Sequence, residues 1–326
     1  MRLLLAAALL AVLTAAAGVG NAVAETPLAL SAKPLPLNPE DKTQQRVGGL
    51  LWRGGLALAA EDPRFGGLSD LALAPDGRAL TAVSDAGRWV TARLTYDSAG
   101  NLAGIAAAES GALRDPRGRL LSGKGAQDAE ALARLDDGSL VVAFERDHRL
   151  LAFGTGGLAG VPKPLTAPAG LAAAGSNSGI EALVALAGGR LLAFSEGQKI
   201  GDSYAVYLRE ADGRWQALAL KPQGLFVPTG AAQLPDGDIL LLERRFTILG
   251  GVGARLRRIP LAAIRPGALL EGREVAELRA PLTLDNFEGV AVHRLGDGRI
   301  RLTLLSDDNF SPLQRTLIVQ FELAEN

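Results

Sequence analysis

The chain contains no cysteine, only two histidines and one methionine, and aromatic residues make up 5% of its 326 residues. The lack of cysteine excludes disulfide bonds, thiol nucleophiles and thiolate metal sites. Basic and acidic residues nearly balance, 34 against 35, which gives no electrostatic basis for binding nucleic acid. A chain of this size can bury a large core, so a globular fold does not require covalent cross-links.

The first 46 residues differ in composition from the rest of the chain. Residues 1–24 join Met1-Arg2 to an apolar run and end in Ala22-Val23-Ala24, the pattern of a cleaved secretory signal peptide. The run is shorter than the roughly 20 residues of a membrane span. Residues 25–46 contain four prolines and are interpreted as an extended leader. We therefore expect an exported protein, periplasmic or secreted, with a domain over 47–326 and no membrane span.

Five segments repeat one pattern, in which two short apolar strands flank an Asp-Gly turn or its equivalent. The turn glycines are Gly77, Gly138, Gly189, Gly237 and Gly298. Glycine adopts the positive φ that a tight hairpin turn requires. The glycines are 61, 51, 48 and 61 residues apart, and periods near 50 with several strands each are typical of β-propeller blades.

The predicted fold class is therefore all-β, in the form of a single β-propeller. Dividing about 280 residues by a blade size of roughly 40 to 50 predicts six blades, with five or seven as alternatives. Five hairpins are visible, and we expect a sixth blade to combine the N-terminal segment 48–59 with the last strand, 316–324. Outside the first 24 residues, no long stretch has the 3.6-residue period of a helix.

Most of the predicted hairpins begin and end near an acidic residue. Antiparallel pairing brings both ends to the edge of the sheet opposite the turn, about 20 Å away for a six-residue strand. The acids expected on this face are Asp70, Asp85, Asp128, Glu130, Glu145, Glu181, Glu196, Asp285, Glu288, Asp307 and Asp308. Acids at strand ends can also serve only to tie blades together, and this alternative stays open for each of them.

So many carboxylates around one axis repel one another unless cations neutralise them. A set of oxygen ligands favours a hard divalent ion such as calcium. The predicted metal ligands are Glu130, Glu181, Asp285, Glu288 and Asp307. Guanidinium groups bind phosphate through paired hydrogen bonds, and the predicted phosphate-binding residues are Arg146, Arg244 and Arg245. The predicted catalytic residues, at equivalent positions of the repeat, are Glu130, Glu181 and Glu288.

Other catalytic arrangements have little support in the sequence. There is no G-x-S-x-G string, which argues against an α/β-hydrolase serine site. Of the two histidines, His148 follows a closing acid and can touch the acidic face, whereas His293 lies inside a predicted strand and is interpreted as structural. Nothing selects a serine for a Ser-His-Asp triad.

The repeats also carry a family resemblance over about residues 47–323. Its most specific part is Asp285-Asn286-Phe287-Glu288-Gly289 followed by Ser306-Asp307-Asp308-Asn309-Phe310. With segments 65–77, 82–89, 128–132 and 178–183, these motifs resemble the phytase-like family, described by an esterase-like activity of phytase. The resemblance implies a propeller related in architecture to the calcium-dependent alkaline phytases, although none of their active-site motifs matches here residue by residue.

The sequence leads to the hypothesis of an exported, calcium-dependent hydrolase of phosphate esters, acting on a small-molecule substrate. In this hypothesis a metal-activated water attacks a phosphate held by arginine. Two alternatives stay open. One is a metal-dependent carboxyl-ester or lactone hydrolase, and the other is a non-catalytic propeller that binds a ligand or a protein in the cell envelope.

Overall fold

The computed structural model describes residues 26–247 and 250–324 of the chain. The predicted signal peptide, residues 1–24, lies outside these described residues. Within the described ranges, no helix combines the length and the apolar character needed to cross a membrane.

Short strands joined by tight turns make up most of the regular structure. In chain order, the strands are β1 (Thr26–Pro27), β2 (Leu30–Leu35), β3 (Arg46–Val47), β4 (Leu50–Ala60), β5 (Leu68–Leu73), β6 (Ala79–Ser84), β7 (Arg88–Tyr96), β8 (Leu102–Ala112), β9 (Ala129–Arg134), β10 (Leu140–Phe144), β11 (Arg149–Phe153), β12 (Lys163–Leu165), β13 (Ile180–Leu186), β14 (Arg190–Ile200), β15 (Ser203–Arg209), β16 (Trp215–Leu220), β17 (Val227–Gln233), β18 (Ile239–Thr247), β19 (Gly251–Ile259), β20 (Leu269–Leu270), β21 (Arg273–Arg279), β22 (Asn286–Arg294), β23 (Ile300–Asp307) and β24 (Thr316–Leu323). One helical turn, α1, covers Lys124–Gln127, and 3-10 turns cover Ala169–Ala173 and Leu261–Ala263.

Over residues 26–247 and 250–324, the strands form five sheets arranged as the blades of a propeller. From the axis outward, blade 1 contains β5 to β8, blade 2 contains β9 to β12 and blade 3 contains β13 to β16. Blade 4 contains β17, β18, β19 and β21, and blade 5 contains β22, β23, β24 and β4. The innermost strands contact one another in a closed ring, β5 to β9, β13, β17, β22 and back to β5. The predicted all-β propeller is confirmed, with five blades rather than the favoured six.

The two ends of the described chain close the ring within blade 5. Strand β4 pairs antiparallel with β24, and β2 adds to the other edge of β4. The prediction that segments 48–59 and 316–324 form a sixth blade is therefore wrong. Without them β23 would present an open edge, and β24 and β4 complete its sheet instead. Part of the predicted leader also lies in the sheets, because β1 pairs with β8 and β2 pairs with β4.

The hydrophobic core is divided among the five interfaces between neighbouring blades. Side chains alternate along a strand, so each sheet packs one face against the blade before it and the other against the blade after it. Blades 4 and 5, for example, bury Leu240 against Phe287, and blades 2 and 3 bury Val141 with Leu183. Each blade is therefore held by two neighbours, and the inner strands reach the axis at fixed positions.

Candidate functional site

Each innermost strand contains a β-bulge near its first residues. A bulged residue has no partner on the adjacent strand, and the bulge redirects its side chain. The five bulged residues are Ser69, Glu130, Glu181, Thr229 and Glu288. The structure thus places the three predicted catalytic glutamates at equivalent positions, and all three line one cavity at the end of the axis opposite the Asp-Gly turns.

The second strand of each blade contributes a further residue to the same cavity. On the second strand, it is the residue that directly follows the pairing partner of the residue before the bulge. The five residues at this position are Asp85, Glu145, Glu196, Arg244 and Asp307. The two sets of equivalent positions explain why the repeat concentrates acids at one end of the propeller axis.

The cavity has a volume of about 300 Å³ and a strongly acidic lining. Its other lining residues are Lys124, Asp128, Arg146, Asn177 and Asn309. Eight carboxylic acids therefore face three basic side chains, a formal excess of five negative charges if all are ionised. Such repulsion is relieved either by protonation of some carboxylates or by bound cations.

Two of the three bases contact Asp128, which is almost fully buried. The Lys124 ammonium lies 2.6 Å from Asp128 Oδ1 and 2.7 Å from Asp85 Oδ2, and Arg146 Nε lies 2.5 Å from Asp128 Oδ2. Arg146 has a φ of 59°, a left-handed conformation that costs about 1–3 kcal/mol for a residue with a side chain. The local backbone therefore holds Arg146 at the cavity despite an unfavourable conformation.

Burial raises the pKa of five cavity carboxyls above their ordinary values. The pKa of Glu130 and of Glu181 lies well above the usual range, first because of burial and then because neighbouring carboxylates repel a further negative charge. Burial also raises the pKa of Glu288 to about 8 and that of Asp307 to about 7. Burial likewise raises the pKa of Glu145. Without a bound cation, several of these carboxyls therefore hold a proton near neutral pH.

One group of acids has a geometry that suits a metal ion. Asp128, Glu130 and Glu145 each offer a carboxylate oxygen, and these oxygens lie within 4.8 Å of one another. Asp128 Oδ1 is buried and pairs with the Lys124 ammonium at 2.6 Å. Such a set of oxygens suits a hard divalent cation. Asp128 and Glu145 were expected on this face but not as metal ligands, and the bulge at Glu130 brings its carboxylate close to theirs.

Most of the predicted site residues come together in the cavity. Those that line it are Glu130, Glu181, Glu288, Asp307, Arg146 and Arg244. Glu288 lies 3.5 Å from Arg244 Nε, and its Oε1 accepts a hydrogen bond from Asn286 Nδ2 at 2.7 Å.

The other two predicted residues, Arg245 and Asp285, do not line the cavity. Arg245 follows Arg244 in β18 and therefore points to the opposite face of the sheet. There it pairs with Glu277 at 3.2 Å and approaches the Phe226 ring. Asp285 precedes β22 and pairs with Arg315 at 3.2 Å. The structure therefore brings neither Arg245, predicted to bind phosphate, nor Asp285, predicted to bind a metal ion, into the cavity lining.

Asp70 ties blades together, as the alternative interpretation of the strand-end acids anticipated. It follows the bulged Ser69 and is 2% exposed. Its Oδ1 accepts a hydrogen bond from its neighbour Leu71 N at 2.7 Å, and its Oδ2 accepts one from Leu132 N on blade 2 at 2.8 Å. Burial raises the pKa of Asp70 well above its ordinary value.

A separate cavity of about 440 Å³ opens at the other end of the inner strands and shares no lining residue with the acidic one.

Two asparagines of the cavity were not identified from the sequence as site residues. Asn177 lies in the loop before β13, and Asn309 follows the end of β23. Asn309 has a φ of 49°, and its backbone N–H donates to Asp307 Oδ1 at 2.7 Å. Both lie in loops outside the repeated strands, so the repeat pattern contained no signal for them.

The two histidines lie at different ends of the molecule. His148 Nε2 is 3.0 Å from the Gly175 carbonyl oxygen, close to the acidic cavity. His293 is buried beside Gly77 and lines the opposite cavity, and burial lowers its pKa to about 4. Neither arrangement includes a serine nucleophile.

One of three comparisons with known proteins identifies a family. A family model described as phytase-like, esterase-like activity of phytase, matches residues 63–310. No curated protein sequence shows a significant match to the chain. Among solved structures, a gluconolactonase candidate is 13% identical with a TM-score of 0.46, over 92% of this chain and 96% of that one. A protein of unknown function from Dyadobacter fermentans is 14% identical, with a TM-score of 0.41 over 92% and 95% of the two chains. A luciferin-regenerating enzyme is 12% identical, with a TM-score of 0.41 over 79% and 92%. Similarities this distant carry no argument about activity.

Proposed function

This chain belongs to the phytase-like family, and from that premise we propose that it is a metal-dependent hydrolase of phosphate esters. The observation that carries the proposal is the lining of the axial cavity, where eight carboxylic acids surround three basic side chains. Carboxylate oxygens hold a hard cation, and guanidinium and ammonium groups bind phosphate oxygens. A small-molecule phosphate ester is the substrate class that uses both kinds of group.

The metal would be held by Asp128, Glu130 and Glu145, whose oxygens lie within 4.8 Å of one another. Calcium is the proposed ion, because the donor set consists of oxygens only. A divalent ion bound there would lower the pKa of a water molecule and polarise a phosphoryl oxygen.

The remaining cavity residues have distinct proposed roles. Arg146 from blade 2 and Arg244 from blade 4 bind the phosphoryl oxygens from two sides and offset their charge. Glu181, which lines the cavity near Glu145, would accept a proton from the attacking water once the bound cation has favoured its ionised form. Glu288 lies 3.5 Å from Arg244 and transfers a proton to the leaving oxygen.

The test is an assay of residues 25–326 on phenyl phosphate and on phenyl acetate, with calcium and with a chelator. Glu130→Gln removes a ligand charge and should lower turnover of phenyl phosphate about 100-fold or more. The matched control is Glu271→Gln, since Glu271 is an exposed acid paired with Lys221. Full activity of Glu130→Gln, or no effect of the chelator, would contradict the metal site.

A carboxyl-ester hydrolase is the second candidate, because the family description names an esterase-like activity. The double variant Arg146→Ala/Arg244→Ala separates the two reactions. If the substrate is a phosphate ester, phenyl phosphate turnover should fall about 100-fold more than phenyl acetate turnover. Equal losses on both substrates would favour the carboxyl-ester reaction. No turnover of either ester, with a calcium-dependent rise in melting temperature, would favour a binding platform.

Export of the mature protein is also a proposal, supported by the signal-peptide pattern of residues 1–24. When the full chain is expressed in a bacterial host, the periplasmic or secreted product should begin at Glu25. A cytoplasmic product that keeps the first 24 residues would overturn the proposal.

A further inference from the structure

The loop between β23 and β24 holds an unusual backbone conformation at the mouth of the acidic cavity. Asn309 and Phe310 have φ angles of 49° and 50°. Both lie in the left-handed region, which disfavours residues that carry a side chain. Two such residues in succession persist only where the surrounding structure holds them in place.

Asp308 makes several of the hydrogen bonds that keep these two residues in place. Its Oδ1 accepts hydrogen bonds from Gly67 N at 2.9 Å and from Phe310 N at 3.0 Å. Its Oδ2 accepts one from Thr316 Oγ1 at 2.9 Å. The carboxylate therefore joins the loop to blade 1 and to the start of β24, which fixes the position of Phe310.

The Phe310 ring lies on the glycine pair Gly66-Gly67, beside the Asp85 carboxylate. A Cβ atom on Gly67 would lie only 2.4 Å from Phe310 Cε2 and 2.3 Å from Asp85 Oδ1. Only a glycine leaves space for the ring at this point. The positively polarised edge of an aromatic ring suits a carboxylate neighbour. Asp85 and Asn309 both line the cavity, so the ring lies next to two residues of the cavity lining.

Phe310 nevertheless remains 47% exposed. A large apolar side chain that only filled a core would be covered, and one in a mobile surface loop would not need an anchored, unfavourable backbone. Leu313 in the same loop is 92% exposed and has no comparable support. Phe310 is therefore a fixed aromatic surface beside a polar cavity.

We propose that Phe310 is a specificity-determining residue that contacts the organic group of the substrate, and that this group is aromatic or otherwise apolar rather than a polyol. The inference rests on the proposed function of the neighbouring cavity, which takes the charged head of the ester. Stacking on the exposed ring stabilises a bound aromatic group. A polyol, in contrast, loses part of its hydration shell when it packs against an apolar surface.

The test compares kcat/KM for phenyl phosphate and for glycerol phosphate in the mature protein with calcium. The wild-type protein should prefer phenyl phosphate. Phe310→Ala should lower this preference about tenfold, the usual scale of one aromatic contact. Phe310→Tyr keeps the ring and should restore the preference, and Leu313→Ala serves as the control from the same loop.

A role in folding alone would change both substrates equally and leave their ratio unaltered. An unchanged ratio in Phe310→Ala, or a wild-type preference for glycerol phosphate, would overturn the inference while leaving the hydrolase proposal standing. If no ester is turned over, calorimetric titration with phenylphosphonate and methylphosphonate decides. Tighter binding of the phenyl compound that Phe310→Ala abolishes supports the inference even then, and equal or absent binding of both overturns it.

Discussion

Glu243 is fully buried inside blade 4 between two arginines. Arg257 Nη2 lies 2.6 Å from Glu243 Oε1, and Arg255 Nη2 lies 2.7 Å from Oε2. Glu243 precedes Arg244 in β18, so its side chain points to the opposite face of the sheet, where it meets Arg255 and Arg257 of β19. Its charge belongs to the interior of the sheet and takes no part in the proposed chemistry.

Removing that charge should destabilise the protein strongly. Glu243→Gln leaves two buried guanidinium groups without a counter-charge, which typically costs about 3–5 kcal/mol of unfolding free energy. Urea unfolding measures the loss. Glu271→Gln breaks the exposed pair with Lys221 and should cost at most about 1 kcal/mol. Similar losses of unfolding free energy in the two variants would show that the buried arginines do not depend on the charge of Glu243.

The raised carboxyl pKa values predict how the metal-free protein responds to pH. Burial raises the pKa of Glu288 from 4.5 to about 8 and that of Asp307 from 3.8 to about 7. Between these limits the folded state binds more protons than the unfolded state, so stability falls as the pH rises. The stabilisation from these two groups is complete below about pH 4 and is lost as the pH rises through about 7 for Asp307 and about 8 for Glu288.

Thermal melts in a chelator should therefore show a melting temperature lower by about 5 °C or more at pH 8.5 than at pH 5. Added calcium should remove most of this difference, because the cation favours the ionised carboxylates. Glu288→Gln takes away one of the titrating groups and should flatten the dependence. A melting temperature that rises with pH in the chelated wild-type protein would contradict the assigned pKa directions.

At the scale of the strand, the hairpins could be predicted because their signals are local. Asp-Gly turns between apolar runs lie in four of the five inner hairpins, and the turn glycines have positive φ as expected. The pairing of β4 with β24 joins segments more than 250 residues apart. The sequence predicted that these segments come together, but no local pattern specifies that they join the sheet of β22 and β23, which is why a sixth blade was expected.

The bulges explain which parts of the site were predictable. The repeat placed Glu130, Glu181 and Glu288 at one face because the bulge recurs at the same point of each inner strand. Arg244 and Arg245 are adjacent, so only one of them can reach that face. Deciding between them requires the register of β18, which depends on contacts beyond the repeat.

The arrangement of blade 5 predicts different outcomes for the removal of its central and edge strands. A chain that ends at Arg315 lacks β24, and β23 and β4 both lose a partner. This protein should show no cooperative thermal transition. A chain that begins at Pro36 lacks only the edge strand β2, together with β1, and should still melt cooperatively, about 5–10 °C lower. Circular dichroism melts compare the two; a cooperative fold without β24 would contradict closure of the ring by this strand pair.

At the scale of the whole molecule, five blades bring the inner strands very close together at the axis. A Cβ atom on Gly230 would lie 2.4 Å from the Glu288 carbonyl oxygen, and one on Gly289 would lie 2.8 Å from Asp70 Oδ1. Each of these strands is also anchored by an apolar interface on either side. The positions of the cavity carboxylates are therefore set by the packing of the entire ring.

The buried Asp70 links two blades near the propeller axis. Its hydrogen bond to Leu132 N crosses from blade 1 to blade 2, and the cavities at the two ends of the inner strands have no wall in common. The two cavities are accordingly lined by different residues. In the proposed function, a released phosphate would occupy the same arginine side chains as the next substrate and compete with it for them.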